Sequence, residues 1–234
     1  MEKLQLGSLT VRTLGSGQAG AVLLCHGYGA PGDDLVPLAE VLDPDLKRRW
    51  FFPEAPKDLR AMGIPGRAWW DIDIMRLQLS VMSGRVGDLF RETPAGMPEA
   101  ARALTDAIAA IEKLPGISRE KLVIGGFSQG AMLTTEVALH AEKPFAGLCI
   151  LSGALVSEPR WREASSKVGA ALHAFQSHGT ADPILPFGGA VRLREVLQAS
   201  GASLDFVQHD GGHEIPMGTL KGMHAFLNAR LGPV

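Results

Sequence analysis

The stretch LVIGGFSQGAML, residues 122–133, places Ser128 between two glycines that each lie two positions away from it. The residues before Ser128 have the continuous apolar pattern of a buried strand, and those after it have the pattern of a buried helix. So tight a turn strains the serine backbone and brings the residues on either side so close that side chains there would collide. Gly126 and Gly130 remove that collision. The stretch therefore predicts a strand–turn–helix that holds the Ser128 hydroxyl above the carboxyl ends of the strands in a sheet.

Ser128 has two interpretations. A glycine-rich turn in which the serine only caps the helix would carry the same residues, and the pentapeptide often arises by chance. The strand before it and the helix after it favour the other interpretation, in which Ser128 is a nucleophile. A serine hydroxyl attacks poorly at neutral pH, so it needs a base, and that base needs a carboxylate to fix its tautomer and stabilise its charged form.

Candidates for the acid and the base follow two later strand patterns. In a doubly wound sheet they come in the chain order serine, acid, histidine. Asp182 lies just past the pattern HAFQSHG (173–179), and His213 lies in a glycine-flanked loop after LDFVQHD (204–210). Both side chains would project over the carboxyl edge of the sheet. We therefore expect Ser128, Asp182 and His213 to act together.

Other histidines and aspartates compete for these roles. Of the seven histidines, only His213 follows the last strand pattern. Asp210 is the main rival acid, but it fits a turn ahead of two glycines. Asp71 and Asp73 precede the serine, which is the wrong chain order. Six histidines lie in or beside predicted strands and helices, where structural roles are commoner: His26, His140, His173, His178, His209 and His224.

The negative oxygen that develops during acyl transfer needs preorganised N–H donors. One candidate is the backbone N–H of Gln129, directly after the serine at the start of its helix. The other is the backbone N–H of Tyr28, in the loop CHGYGAPGDD (25–34) after an early strand pattern. A plain glycine-rich turn is the alternative interpretation of that loop.

Strand and helix patterns alternate along most of the chain. This order favours one α/β domain over residues 1–234, with a mostly parallel doubly wound sheet, an antiparallel N-terminal edge and helices on both faces. Strands are predicted as a pair within 4–15 and at 21–27, 48–56, 121–127, 146–153, 173–179 and 204–210. Helices are predicted at 33–43, 98–114, 129–141, 188–201 and 214–231.

Residues 57–97 interrupt the alternation. The segment is rich in Gly, Pro and Met, and connections this long are usually functional or mobile. We expect it to form a lid-like excursion at the carboxyl edge of the sheet and to line an acyl pocket, although it could instead pack as additional core. The substrate-binding candidates within it are Trp69, Trp70, Ile74, Met75, Leu77 and Leu79.

Composition excludes several function classes. Charged residues make up 21% and the formal net charge is −2, with no basic block, so no nucleic-acid partner is expected. No apolar run is long enough to span a bilayer, so we expect no stable membrane insertion. Cys25 and Cys149 lie in apolar strand patterns, which favours buried thiols in a reducing cytoplasm over a disulfide.

Taken together, the motifs resemble the phospholipase/carboxylesterase family of the α/β-hydrolases, which includes the acyl-protein thioesterases. The resemblance follows the family order across nearly the whole chain. Its motifs are LLCHGYGAPGDDL (23–35), FFPEAP (51–56), AWWDI (68–72), LVIGGFSQGAML (122–133), SHGTADPILP (177–186) and DGGHEIP (210–216). Tyr28 departs from the pattern, because the thioesterases have a leucine there.

The resemblance implies the α/β-hydrolase fold, a triad of Ser128, Asp182 and His213, and an oxyanion hole formed by the N–H groups of Tyr28 and Gln129. The expected function is a serine carboxylesterase that acts on a small acyl ester or thioester through an acyl-enzyme intermediate. A thioesterase or lysophospholipase would use the same residues, and serine at the nucleophile position disfavours a dienelactone-hydrolase-like enzyme.

No metal or organic cofactor is expected, since the sequence has no C-x-x-C or H-E-x-x-H cluster. The sequence is compatible with a homodimer and does not determine the oligomeric state. A non-catalytic binding protein on the same fold would be expected to have a damaged triad.

Overall fold

The computed structural model describes residues 1–83, Gly87 and residues 91–234. An eight-stranded sheet runs through the molecule in the strand order β1-β2-β4-β3-β7-β8-β9-β10, and β5 and β6 form a separate two-stranded hairpin. The strands are β1 Glu2–Leu6, β2 Leu9–Leu14, β3 Ala21–Cys25, β4 Arg49–Pro53, β5 Lys57–Asp58, β6 Arg67–Ala68, β7 Leu122–Phe127, β8 Gly147–Leu151, β9 His173–Gly179 and β10 Ser203–His209. The α-helices described are α1 Pro37–Leu42, α2 Ile74–Met82, α3 Met97–Ile111, α4 Gln129–Leu139, α5 Glu158–Val168, α6 Phe187–Ala199 and α7 Met217–Leu231.

The middle of the sheet is parallel and buried. Strand β7 lies between β3 and β8 and pairs with both in parallel, with Cys25 opposite Gly126 and Phe127 opposite Leu151. Every residue of β3 and β8 is buried, as expected for strands covered on both faces. The carboxyl ends of β3, β7, β9 and β10 therefore lie along one edge of the sheet, and the four candidate loops begin there.

The predicted fold class is confirmed. The N-terminal edge is antiparallel, since β1 pairs with β2 and β2 pairs with β4 in that direction. Helices cover both faces. Side chains of α3, α4, α5 and α6 pack into the apolar core on one face, and those of α1 and α7 pack into the core on the other.

Helices α1 and α5 differ from the sequence prediction, and α2 lies in the segment 57–97, where no helix was predicted. Helix α1 is shorter than the predicted 33–43, because residues 33–36 form turns ahead of Pro37. Helix α5 is not indicated by the sequence pattern. It is mostly polar and buries little besides Trp161 and Ala164, so it lacks the apolar stripe by which an amphipathic helix is recognised.

The excursion over 57–97 contains regular structure. The hairpin of β5 and β6 is followed by Trp69 and Trp70, both buried, and then by α2. None of the described helices combines the length and the apolar character that crossing a membrane would need. Both cysteines are free and buried, and burial raises the pKa of each thiol.

Candidate active site

Ser128 occupies the apex of the turn between β7 and α4. Its backbone lies at φ 54° and ψ −117°, a strained conformation for a residue with a side chain. Its N–H donates to the carbonyl of Leu151 at 2.9 Å, which ties the apex to the neighbouring strand. A Cβ atom added at Gly126 would lie 2.5 Å from the carbonyl oxygen of Cys25, and one added at Gly130 would overlap the same oxygen. A Cβ atom at Gly126 would also lie 2.5 Å from the backbone of Gly130, so the two glycines approach each other closely, and both also lie against Cys25 at the end of β3.

Asp182 and His213 lie in loops that follow β9 and β10, and they are in direct contact. His213 Nδ1 and Asp182 Oδ2 are 2.7 Å apart. The two loops approach closely at Gly179, where a Cβ atom would overlap the backbone oxygens of Gly211 and Gly212. The hydrogen bond from Nδ1 of His213 to Asp182 keeps a proton on Nδ1, so Nε2 of His213 is free to accept a proton.

Three further donors hold the Asp182 carboxylate. Oδ1 accepts the backbone N–H groups of Ile184 at 2.8 Å and Leu185 at 2.9 Å. His178 Nε2 lies 3.3 Å from Oδ2 and 2.7 Å from the carbonyl oxygen of Leu185. Burial alone would raise the pKa of the Asp182 carboxyl, but these hydrogen bonds and the one from His213 together hold that pKa well below its usual range. The group is therefore a permanent carboxylate at neutral pH.

Ser128 and His213 line the same cavity, of about 670 Å³. The His213 side chain is 12% exposed, and the ring of Phe127 packs against it with 4.7 Å between ring centroids. In the part of the chain that the structure describes, the Ser128 hydroxyl has no hydrogen-bond partner. A serine–histidine hydrogen bond often forms only when substrate is bound, so this geometry is compatible with a nucleophile and its base.

The two expected oxyanion donors border the same cavity. Tyr28 follows β3 and Gln129 opens α4, and both residues line the space beside Ser128. Among the described residues, neither backbone N–H has a hydrogen-bond acceptor. Two unpaired donors beside a serine are the arrangement that a developing oxyanion requires.

Apolar side chains form most of the remaining wall. Ile72, Met132 and Leu185 border both this cavity and an adjoining one of about 370 Å³. Met82 and Ile184 lie at the exposed rim. A cavity of this size with a few convergent polar groups is typical of a site for a small organic ligand.

Two residues of α2 that were expected to line the acyl pocket do not border the Ser128 cavity. Met75 and Leu79 are 72% and 60% exposed and border a separate surface pocket. The amphipathic pattern of this segment does not reveal which of its side chains face solvent, and these two are exposed. The side chains of Ile74 and Leu77 lie outside the described residues.

The two tryptophans have different surroundings. Trp70 borders the adjoining cavity, so its position is compatible with the expected contact to substrate. Trp69 is buried between the loop after β3 and the start of α4, and it is not part of the wall of either cavity. The expectation that Trp69 contacts substrate is therefore corrected.

Among the described residues, none of the rival acids is hydrogen-bonded to His213, whose carboxylate partner is Asp182. Asp210 is exposed. Asp71 pairs with Lys57 on the surface, and Asp73 accepts the backbone N–H of Arg76 at the start of α2. The sequence prediction missed His178 as a neighbour of Asp182. Its position five residues after the start of a strand gives no signal of that contact, which depends on how the acid loop folds back.

Comparisons with known proteins identify a family that matches nearly the whole chain. The family described as phospholipase/carboxylesterase matches residues 8–231. Acyl-protein thioesterase 1 of Eremothecium gossypii is 33% identical over 225 residues, which are 90% of this chain and 88% of that protein. A probable carboxylesterase of Oryza sativa subsp. japonica is 28% identical over 217 residues, covering 90% of this chain and 77% of that protein.

The fold itself also matches a solved structure. A carboxylesterase from Mesorhizobium loti superposes with a TM-score of 0.77 at 19% identity, and the match covers 97% of each chain.

Proposed function

Because this chain belongs to the phospholipase/carboxylesterase family, we propose that it is a serine hydrolase that cleaves carboxylic esters through an acyl-enzyme intermediate. The observation that carries the proposal is the strained Ser128 at the head of α4, in one cavity with a histidine that is hydrogen-bonded to a buried carboxylate. A serine that only capped the helix would require none of these features.

In the proposed first step, Ser128 Oγ attacks the acyl carbonyl while Nε2 of His213 takes the hydroxyl proton. The negative oxygen that forms accepts hydrogen bonds from the N–H groups of Tyr28 and Gln129. Asp182 stabilises the imidazolium through the contact at Nδ1 and keeps its own negative charge. His213 then gives its proton to the leaving oxygen or sulfur, and the acyl group stays on Ser128.

In the second step, a water molecule replaces the leaving group. His213 takes a proton from this water, which attacks the acyl-enzyme carbonyl, and the same two N–H groups stabilise the second oxyanion. Collapse of that intermediate releases the carboxylic acid and returns the proton to Ser128 Oγ. The apolar cavity walls at Ile72, Met132 and Leu185 suit an aliphatic acyl group.

Thioester hydrolysis is the second candidate, and a specific observation favours it. The relative with 33% identity is an acyl-protein thioesterase. Lysophospholipid hydrolysis would use the same steps on an oxygen ester. All three differ only in the leaving group, and the triad itself does not distinguish between them.

The two free, buried cysteines support a cytoplasmic location as part of the proposal, because reducing compartments keep thiols in this form.

Kinetics on matched substrates test the proposal. Oxygen esters, thioesters and lysophospholipids with the same acyl chain are compared by kcat/KM for the wild type and Ser128→Ala. We expect the wild type to hydrolyse at least the oxygen esters and Ser128→Ala to be inactive on every class. A folded wild type that hydrolyses none of them would contradict the proposal and favour a binding protein on this fold.

A further inference from the structure

The two oxyanion donors belong to separate loops, so something must fix their spacing. The N–H of Tyr28 lies after β3, and the N–H of Gln129 lies at the start of α4. We propose that the side chains of Trp69 and Gln129 brace these two loops against each other and act as positioning residues for the oxyanion hole. This inference rests on the proposed function, since it concerns the same site.

The carboxamide of Gln129, the first residue of α4, binds the backbone of Trp69 and Trp70. Its Oε1 accepts the backbone N–H of Trp69 at 2.9 Å, and its Nε2 donates to the carbonyl oxygen of Trp70 at 2.9 Å. Gln129 is buried, so an unpaired amide there would be unfavourable and both hydrogen bonds are needed. Gln129, whose backbone N–H is one of the two oxyanion donors, is thereby held in place by its side chain.

The indole of Trp69 makes the connection to the other loop. Its Nε1 donates to the carbonyl oxygen of His26 at 2.9 Å, two residues before Tyr28. The His26 ring also lies against the Trp69 indole, with 5.6 Å between centroids. Trp69 thus connects α4, through its backbone N–H, to the backbone that leads to the second donor, through its indole.

His26 fixes the same backbone from the opposite side. Its Nε2 accepts the backbone N–H of Ala55 at 3.1 Å, so the ring proton lies on Nδ1, which donates to the carbonyl oxygen of Gly27 at 2.8 Å. Burial lowers the pKa of His26, which favours this neutral form. The peptide units on both sides of Gly27 are therefore held by buried hydrogen bonds.

Strand β6 continues the brace beyond Tyr28. The N–H of Gly29 donates to the carbonyl oxygen of Arg67 at 2.8 Å, and the N–H of Arg67 donates to the carbonyl oxygen of Ala30 at 3.0 Å. A Cβ atom at Gly66 would overlap the carbonyl oxygen of Gly29, so the close approach depends on glycine. Residues 66–70 therefore contact the Tyr28 loop and the first residue of α4 together.

Two conservative variants test the brace separately. Trp69→Phe keeps a buried ring but removes the N–H that binds His26. Gln129→Met keeps the length of the side chain without adding a charge, but it makes neither hydrogen bond to the tryptophan backbone. For each variant we measure kcat and KM on the best ester, the inhibition constant of an alkylboronic acid, and the melting temperature.

We expect kcat to fall about ten- to hundredfold in each variant with little change in KM, because a displaced donor weakens binding of the transition state more than binding of the substrate. A boronic acid forms a tetrahedral adduct on the serine and mimics that state, so its inhibition constant should rise by a similar factor.

Trp161→Phe is the matched control. Trp161 is equally buried, and its indole Nε1 donates to Glu136 at 2.7 Å, about two turns along α4 from Gln129. Neither residue lines the Ser128 cavity. This variant should lower the melting temperature without changing kcat or the boronate inhibition constant.

If Trp69→Phe and Gln129→Met also lower only the melting temperature, the brace is structural and the inference is wrong, while the proposed function stands on the activity of the wild type. An inactive wild type would instead refute the proposed function itself.

Discussion

At the scale of single residues, the account depends on Ser128, His213 and Asp182 acting as one unit. Removing either of the first two should abolish most turnover, with a loss in kcat of roughly 10⁶-fold, because each is needed in an indispensable step. The double variant Ser128→Ala/His213→Ala should be no worse than either single variant. Steady-state kinetics with melting temperatures check this. Losses that multiply would show that the two residues act independently.

The acid is tested by a pair of matched variants. Asp182→Asn should lower kcat by roughly 10⁴-fold, since the amide no longer stabilises the imidazolium or selects its tautomer. Asp210→Asn removes an exposed carboxylate from the neighbouring loop and should leave kcat within about twofold of the wild type if Asp210 has no part in the chemistry. If Asp210→Asn were the more damaging change, Asp182 would be the wrong acid.

Asp182 should also contribute to the pH dependence of stability. Folding lowers its pKa, so its stabilising contribution is fully present above the pKa of the unfolded chain, about 3.9. That contribution is lost as the pH falls through the lower pKa of the folded protein. The difference in unfolding free energy between the wild type and Asp182→Asn should therefore shrink between about pH 5 and pH 2.

Chemical denaturation at several pH values measures this difference. A gap between the two proteins that stays constant, or that widens toward acid, would contradict the hydrogen-bonded carboxylate.

The residues of the site differ in how far the sequence can predict them. Ser128, Asp182 and His213 can be located because each follows a strand pattern and the chain order restricts the choice. The contact of His178 with Asp182 could not be predicted, because it depends on a turn that brings Leu185 and the carboxylate back toward β9. Burial of Trp69 against His26 is likewise a tertiary contact with no local signal.

At the scale of elements, the acyl chain should meet α4 and the acid loop and not the exposed side chains of α2. Met132 borders both the Ser128 cavity and the adjoining cavity. Met132→Ala should therefore lengthen the preferred acyl chain. Each additional buried methylene contributes about 0.8 kcal/mol, so kcat/KM for the longer esters should rise a few-fold per carbon.

Leu79→Ala is the control for this prediction, since Leu79 is apolar but exposed on α2. It should leave the chain-length profile unchanged. The reverse result, a profile altered by Leu79→Ala and unaffected by Met132→Ala, would place the acyl chain on α2 as the sequence first suggested.

Predictions for the elements failed where tertiary contacts decide the outcome. The pattern of α2 indicates an apolar segment but does not show that Met75 and Leu79 are exposed. Helix α5 was missed because Trp161 and Glu136 fix it through a buried hydrogen bond, with few apolar positions to show in the sequence.

At the scale of the whole molecule, the sequence is sufficient for the sheet. Alternating strand and helix patterns, continuous apolar runs at β3, β7 and β8, and the glycines around Ser128 all favour the same architecture. The strand order brings four loops, distant in sequence, to one edge of the sheet. That convergence explains why the site could be predicted in outline although its walls could not.

The most direct test of the central claim is mass spectrometry after exposure of the folded protein to a fluorophosphonate. The reagent reacts with a serine that is activated by a base and an oxyanion hole, and not with an ordinary hydroxyl. We predict one added phosphonyl group per chain, located on Ser128, and no addition to Ser128→Ala. A folded wild type that stays unmodified, or that is modified at another serine, would contradict the account.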